Sequence, residues 1–192
     1  MTLALRAADF AAPGDAWPRP HDNCYWLLPG RLLAGEHPGA ADAAVQARRM
    51  LALLDAGVAC VIDLTEAGEG LPGYAAALRA AAASRRVAVS IEAFPIADYS
   101  VPEPATMRRI LDAIALALRC GQTLYLHCHG GAGRTGTVVG CLLVEYGHTP
   151  AQALQLIARK WQVVAKRVHV PASPETPAQR EFIQRWPQAP RP

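Results

Sequence analysis

Hydrophobic positions along this chain fall into two alternating kinds of segment. Some are short, dense apolar runs; others are longer stretches with helical spacing. Residues 24–28 (CYWLL) and 31–34 (RLLA) are dense runs on either side of Pro29-Gly30, which predicts a small hairpin or paired strands. A helical stretch from about Ala40 to Ala56 stops at Gly57, a favoured residue just past a helix end. Val58 to Leu64 (VACVIDL) is short, β-branched and nearly continuous, the mark of a buried strand. Tyr74 to Ser84 is alanine-rich and reads as helix, and Val87 to Phe94 alternates and reads as a second central strand. Beyond a proline-marked loop at 95–104, Met107, Ile110, Leu111, Ile114 and Leu118 share one face of a helix from about Ala105 to Arg119. Residues 123–127 (TLYLH) form a third central strand, followed by a glycine-rich segment at 129–133 and an apolar helix from about Arg134 to Tyr146. Thr149, as N-cap before Pro150, starts a further helix to about Val164, and a last one runs from near Thr176 to before Pro187. Strands alternating with helices predict a single α/β domain: a mostly parallel, mixed sheet of about four to five strands with helices on both faces.

Composition narrows the functional classes. The 192 residues are 52% hydrophobic and 18% charged, with mean hydropathy +0.10, which is too apolar for disorder and enough for one core. A net charge of +3 is too small to argue for nucleic acid and is compatible with anionic substrates. No apolar run approaches the length of a membrane span, and residues 1–22, rich in Ala and Pro, lack an apolar signal core. They read as a flexible arm before a domain at 23–187, and a cytoplasmic monomer without membrane or nucleic-acid partners is expected. Alanine abundance and the rarity of lysine read as coding bias. The five cysteines (24, 60, 120, 128 and 141) are odd in number and unpaired in spacing, so reduced thiols are expected. No Cys or His spacing suggests a metal, and no cofactor is expected.

The chemistry concentrates in 124–136, LYLHCHGGAGRTG. A turn between a strand and a helix N-terminus aims several backbone N–H groups at one point, where the helix dipole adds partial positive charge. Gly130, Gly131 and Gly133 let the backbone curl tightly, so 129–133 (His129, Gly130, Gly131, Ala132, Gly133) form a cradle for a tetrahedral oxyanion. Cys128 opens this cradle, where the donors favour its thiolate, the nucleophilic form. Arg134, six residues on, can fold its planar fork against two oxygens of the same phosphate. Thr135 can donate its hydroxyl to the sulfur and help it leave again. A dinucleotide-binding loop is a poorer reading, because it belongs after a first strand and needs an acidic residue about 20 positions later.

His-Cys-x5-Arg-Thr-Gly is the CX5R signature, and here the chain resembles the cysteine-dependent protein tyrosine phosphatase superfamily. The resemblance implies a phosphatase-like fold and phosphomonoester hydrolysis through a phosphocysteine, with Cys128 as nucleophile and Arg134 as phosphate ligand. It also assigns Thr135 as the loop hydroxyl and gives His127 a supporting place behind the loop. The family takes its general acid from a loop some 30 residues before the cysteine. Here that loop is 94–102, and Asp98 is its only carboxylate. Asp98 is therefore expected to protonate the leaving group and then to activate water. Asp63 and Glu66 are weaker candidates. Chain length and Pro95-Ile96-Ala97-Asp98 resemble the dual-specificity branch, and Pro29 to Pro38 resembles the opening strands of its bacterial members. Residues 173–179 (SPETPAQ) resemble a late segment whose glutamine positions water in some members, with Glu175 and Gln179 at its polar positions.

The substrate is expected to be a phosphorylated protein or a small phosphomonoester. Alternatives are an inositol or other small-molecule phosphatase of the same fold, or a phosphate-binding module without turnover. A silent module of that kind would be expected to have lost the cysteine, arginine or acid, and none is missing. A sulfurtransferase or arsenate reductase would need a different loop length or a resolving cysteine pair. A disulfide from Cys128 to Cys60 or Cys24 under oxidation is a further expectation.

Overall fold

The computed structural model describes residues 5–11 and 17–187. Five strands form one mixed sheet: β1 (Cys24–Leu28), β2 (Leu32–Gly35), β3 (Val58–Asp63), β4 (Ser90–Ala93) and β5 (Thr123–His127), in spatial order β1-β2-β5-β3-β4. The Pro29-Gly30 turn makes β1 antiparallel to β2, and the other pairings are parallel. Side chains alternate across the sheet as the pleat requires. Tyr25, Leu27, Leu32, Ala34, Leu124 and Leu126 face one core, while Cys24, Trp26, Leu33 and Tyr125 face the other.

The smaller core is closed by α2 (Ala43–Asp55) and α3 (Ala75–Ser84), through Met50, Leu53, Tyr74 and Leu78. The larger core is closed by α4 (Pro104–Arg119), α5 (Gly133–Glu145), α6 (Pro150–Trp161) and α7 (Pro177–Arg185). α6 and α7 start where the sequence predicts, and α2 starts at Ala43, three residues later than its predicted start near Ala40. Asp42 accepts the Val45 N–H, Thr149 accepts that of Gln152, and Thr176 accepts that of Gln179, the last two in reciprocal capping boxes.

Two features differ from the sequence reading. Residues 87–94 do not form a central strand: only Ser90–Ala93 pair, at the sheet edge, with mostly exposed side chains. Alternation is the pattern of a strand wet on one face, whereas the buried β3 reads as a continuous apolar run. In the stretch read as an arm, a helical turn α1 (Ala7–Phe10) lies against the domain. Phe10 is fully buried against Tyr146, with ring centroids 4.8 Å apart, and His148 Nε2 lies 3.1 Å from the Ala7 carbonyl. Residues 1–4 and 12–16 of that stretch lie outside the described residues. Among the described residues, no helix is long and apolar enough to cross a membrane.

Candidate active site

Because β2, β5, β3 and β4 run parallel, their carboxyl ends lie on one side of the sheet, where crevices bind ligands in open α/β folds. Each end delivers one part of the site: the Gly35–Glu36 backbone at the end of β2, Asp63 at the end of β3 with Glu69 beyond it, Asp98 after β4, and the glycine-rich loop after β5. α5, buried throughout its first three turns, begins at Gly133 and aims its N-terminus back into this crevice.

Cys128 follows the last residue of β5 and is buried, and its Sγ accepts the Gly131 N–H at 3.3 Å. Gly131 adopts φ +78, and a Cβ there would stand 2.5 Å from the Gly35 carbonyl carbon. Only glycine allows the loop to turn here and press against the end of β2, where the His37 N–H donates to the His129 carbonyl at 2.9 Å. Burial pushes the Cys24 thiol up to about 12 and raises Cys60 and Cys141, so these three stay protonated at neutral pH. Neither expected disulfide partner reaches Cys128. Cys60 lies opposite Leu124, four residues before Cys128, roughly 13 Å along the strand. Cys24 aligns with His127 two strands away, about 10 Å, and faces the opposite core.

Arg134 lies in the first turn of α5 and its side chain is 1% exposed. Its guanidinium is held from both Nη groups. Glu69 spans the Nη1–Nη2 edge with both oxygens, at 2.5 and 2.9 Å. Nη1 also donates to the Ile96 carbonyl at 2.9 Å, and Nη2 forms an ion pair with Asp98 Oδ1 at 2.9 Å. Nε–H is buried without a partner. The Arg134 bonds hold the Glu69 carboxyl below its usual range. Thr135, next in sequence, is buried with its hydroxyl unpartnered, as is Tyr25. The structure thus brings Cys128, Arg134 and Asp98 to one crevice, as the sequence reading requires. Glu69, Asp98 and His129 offer ligand atoms within 4.8 Å of one another, but two of the three already pair with the guanidinium, which supplies the positive charge there.

Behind the loop, His127 is fully buried among the rings of His37, Tyr74 and Tyr125. Its Nδ1 lies 3.2 Å from the Cys128 carbonyl and its Nε2 lies 2.8 Å from the Tyr74 hydroxyl. Tyr74 in turn reaches Asp63 Oδ2 at 3.1 Å. A doubly protonated ring would satisfy all three contacts, whereas either neutral tautomer leaves one unmade. Burial nevertheless wins, and lowers His127 to about 4. Asp63 is therefore the far end of this relay, and Glu66 is exposed on the loop carrying Glu69.

Sequence reasoning missed Glu69 and Tyr74. The one hint was the Gly68-Glu69-Gly70 run, an acidic residue in a loop at the carboxyl end of a strand.

The chain has relatives of known kind. The family model described as "PTP-SAK: Swiss Army Knife protein, DSP-PTPase phosphatase domain" matches residues 21–183. Human cyclin-dependent kinase inhibitor 3 is 36% identical over 62 residues, 31% of this chain and 29% of that protein, so the match spans under a third of the curated relative. Among solved structures, Tk-PTP in its active form superposes with TM-score 0.66 at 24% identity, covering 84% of this chain and 94% of that one. PTPMT1 in complex with PI(5)P superposes with TM-score 0.60 at 21% identity, covering 82% and 90%. At these identities the two structures establish the fold, and the family model carries the assignment. Reaching from ahead of β1 into α7, it takes in the whole sheet and the Cys128 loop, and the chain belongs to this DSP-PTPase phosphatase-domain family.

Proposed function

We propose that the protein hydrolyses phosphomonoesters through a phosphocysteine on Cys128. The observation that carries this reading is the Cys128 thiol under a Gly131 N–H, beside a buried guanidinium whose Nε–H has no partner. A phosphate seated over the sulfur would take that Nε–H and the cradle N–H groups of 129–133. Sulfur attacks phosphorus, Asp98 gives its proton to the departing oxygen, and water then cleaves the S–P bond. Arg134 follows charge into the equatorial oxygens of the transition state. Thr135 has a free hydroxyl with which to stabilise the departing thiolate. The chemistry uses only this chain's side chains, and a reactive thiol suits a reducing compartment such as the cytoplasm.

Glu69, Asp98 and Glu175 surround Arg134 electrostatically, and this acidic rim favours singly phosphorylated protein or small-molecule substrates over polyphosphorylated rings. The test is p-nitrophenyl phosphate hydrolysis by the wild type and Cys128→Ser. Loss of turnover with retained phosphate binding is expected, and equal rates refute the reading. A panel of phosphotyrosyl and phosphoseryl peptides against inositol phosphates then ranks the substrate classes.

A further inference from the structure

The strap before α7 crosses the mouth of the glycine-rich loop. It lies close because α5 carries glycines beneath it. A Cβ at Gly133 would stand 2.7 Å from Glu175 Oε2, and one at Gly136 would stand 2.3 Å from Ser173 Oγ. Ser173 ties the strap down by donating to the Ala132 carbonyl at 2.8 Å. Gln179 is fully buried, and both ends of its amide are engaged. Its Oε1 accepts the N–H groups of Glu175 and Thr176, and its Nε2 donates to the Ser100 carbonyl of the Asp98 loop at 3.2 Å. Gln179 is therefore a structural tie between strap and acid loop, with no free acceptor for a water. Glu175 is different. It is half-buried, and its carboxylate lies against Gly133 at the edge of the cradle. The charged groups it feels are Asp98, Arg134 and Lys166. Burial first, then Asp98, raise its proton affinity against the pull of the other groups.

Resting on the phosphocysteine reading, we infer that Glu175 is the proton acceptor of the second half-reaction, while Asp98 serves as the acid of the first. In that step the water oxygen bonds to phosphorus and the S–P bond breaks. Cys128 leaves as thiolate, the water proton passes to the Glu175 carboxylate, and inorganic phosphate departs. Glu175 then releases its proton to solvent, and Asp98 takes one up. The division follows from the environments. Asp98 is paired with the Arg134 guanidinium at 2.9 Å, whereas Glu175 lies against Gly133 at the cradle's edge, where burial favours its taking a proton.

Rapid-quench kinetics on the full chain with p-nitrophenyl phosphate separate the two steps. Glu175→Gln should lower kcat about 100-fold while kcat/KM, which reports only the steps through phosphocysteine formation, changes little. A burst of about one p-nitrophenol per site should appear, with a phosphoenzyme trapped by acid. Glu175→Asp should recover part of kcat, and Asp98→Asn should slow the burst itself. An unchanged kcat, an equal fall in kcat and kcat/KM, or a slow variant without a burst overturns the inference for Glu175 alone. If neither the wild type nor any variant yields a Cys128-dependent phosphoenzyme, the phosphocysteine reading itself fails.

Discussion

His127 links the fold to the site through a charge it does not carry, and acidification exposes that link. A histidine at its ordinary value of 6.5 when unfolded and about 4 when folded binds fewer protons in the native state throughout that window. Stability contributed by the neutral ring is thus full above 6.5 and is lost as pH falls towards 4. The whole gap is worth about 3 kcal/mol. Between pH 7.5 and 5.5 the unfolded ring becomes about nine-tenths protonated while the folded one stays neutral, so His127 alone removes about 1 kcal/mol. That interval lies above the range in which Glu36 and Glu69, both held low by their cationic partners, lose their own contributions. His21, also near 4, and His37, lowered by burial, act in the same direction as His127. Glu175, raised by burial, acts in the opposite direction.

The comparison that isolates His127 is urea unfolding of wild type and His127→Gln at both pH values. The stability difference between them should shrink by about 1 kcal/mol at the lower pH. Parallel pH dependence in the two proteins refutes a neutral buried ring.

Three other perturbations test the packing around the site. Phe10→Ala should cost about 3–4 kcal/mol in urea unfolding, because a fully buried ring is deleted from against Tyr146; a loss under about 1 kcal/mol would mean that α1 does not dock. Gly131→Ala should cost at least about 2 kcal/mol and abolish phosphate binding measured by calorimetry, because φ +78 is strained and the new Cβ meets β2 backbone. Glu69→Gln should lower kcat/KM at least about tenfold and destabilise by about 2–3 kcal/mol, since a buried guanidinium loses its ionic partner; unchanged kinetics would show that Glu69 does not orient Arg134.

What the sequence made legible was local. Pro29-Gly30, Gly57 and Thr149-Pro150 announce element ends from adjacent residues, and Cys128 to Gly136 announces a cradle because donors, thiol and guanidinium share one short loop. What it concealed is contact over long separation. Glu69 meets Arg134 across 65 positions and Tyr74 meets His127 across 53, and neither spacing carries a periodic or motif signal. The misreading of 87–94 has a different origin. Alternation was read as a central strand, although in a parallel sheet alternation marks the strand with one face in water. Gly133 was legible as part of the cradle and Gly136 as part of the signature, but the packing role they share with Gly140 was not. Their use is to let Glu175, Ser173 and Ile183 approach α5 at distances that a Cβ would forbid.

The hydrogen inventory of Arg134 constrains how a substrate enters. A phosphate bound side-on needs Nε–H and the neighbouring Nη2–H. Nε–H is vacant, but Nη2 is filled by Glu69 and Asp98. One of the two must yield, and the surroundings decide which. Glu69 is 12% exposed and gripped through both oxygens, while Asp98 is 44% exposed and holds Arg134 through one. Asp98 is the weaker partner, so on the proposed reading the phosphate would displace it and keep the Glu69 clasp. That exchange removes a carboxylate from the phosphate's position and frees it beside the ester oxygen, where the proposed first step needs an acid. On the proposed reading the same guanidinium edge would hold Asp98 and bind the phosphate in turn, so an Arg134→Lys substitution, with one point charge in place of an edge, is expected to lose both functions together.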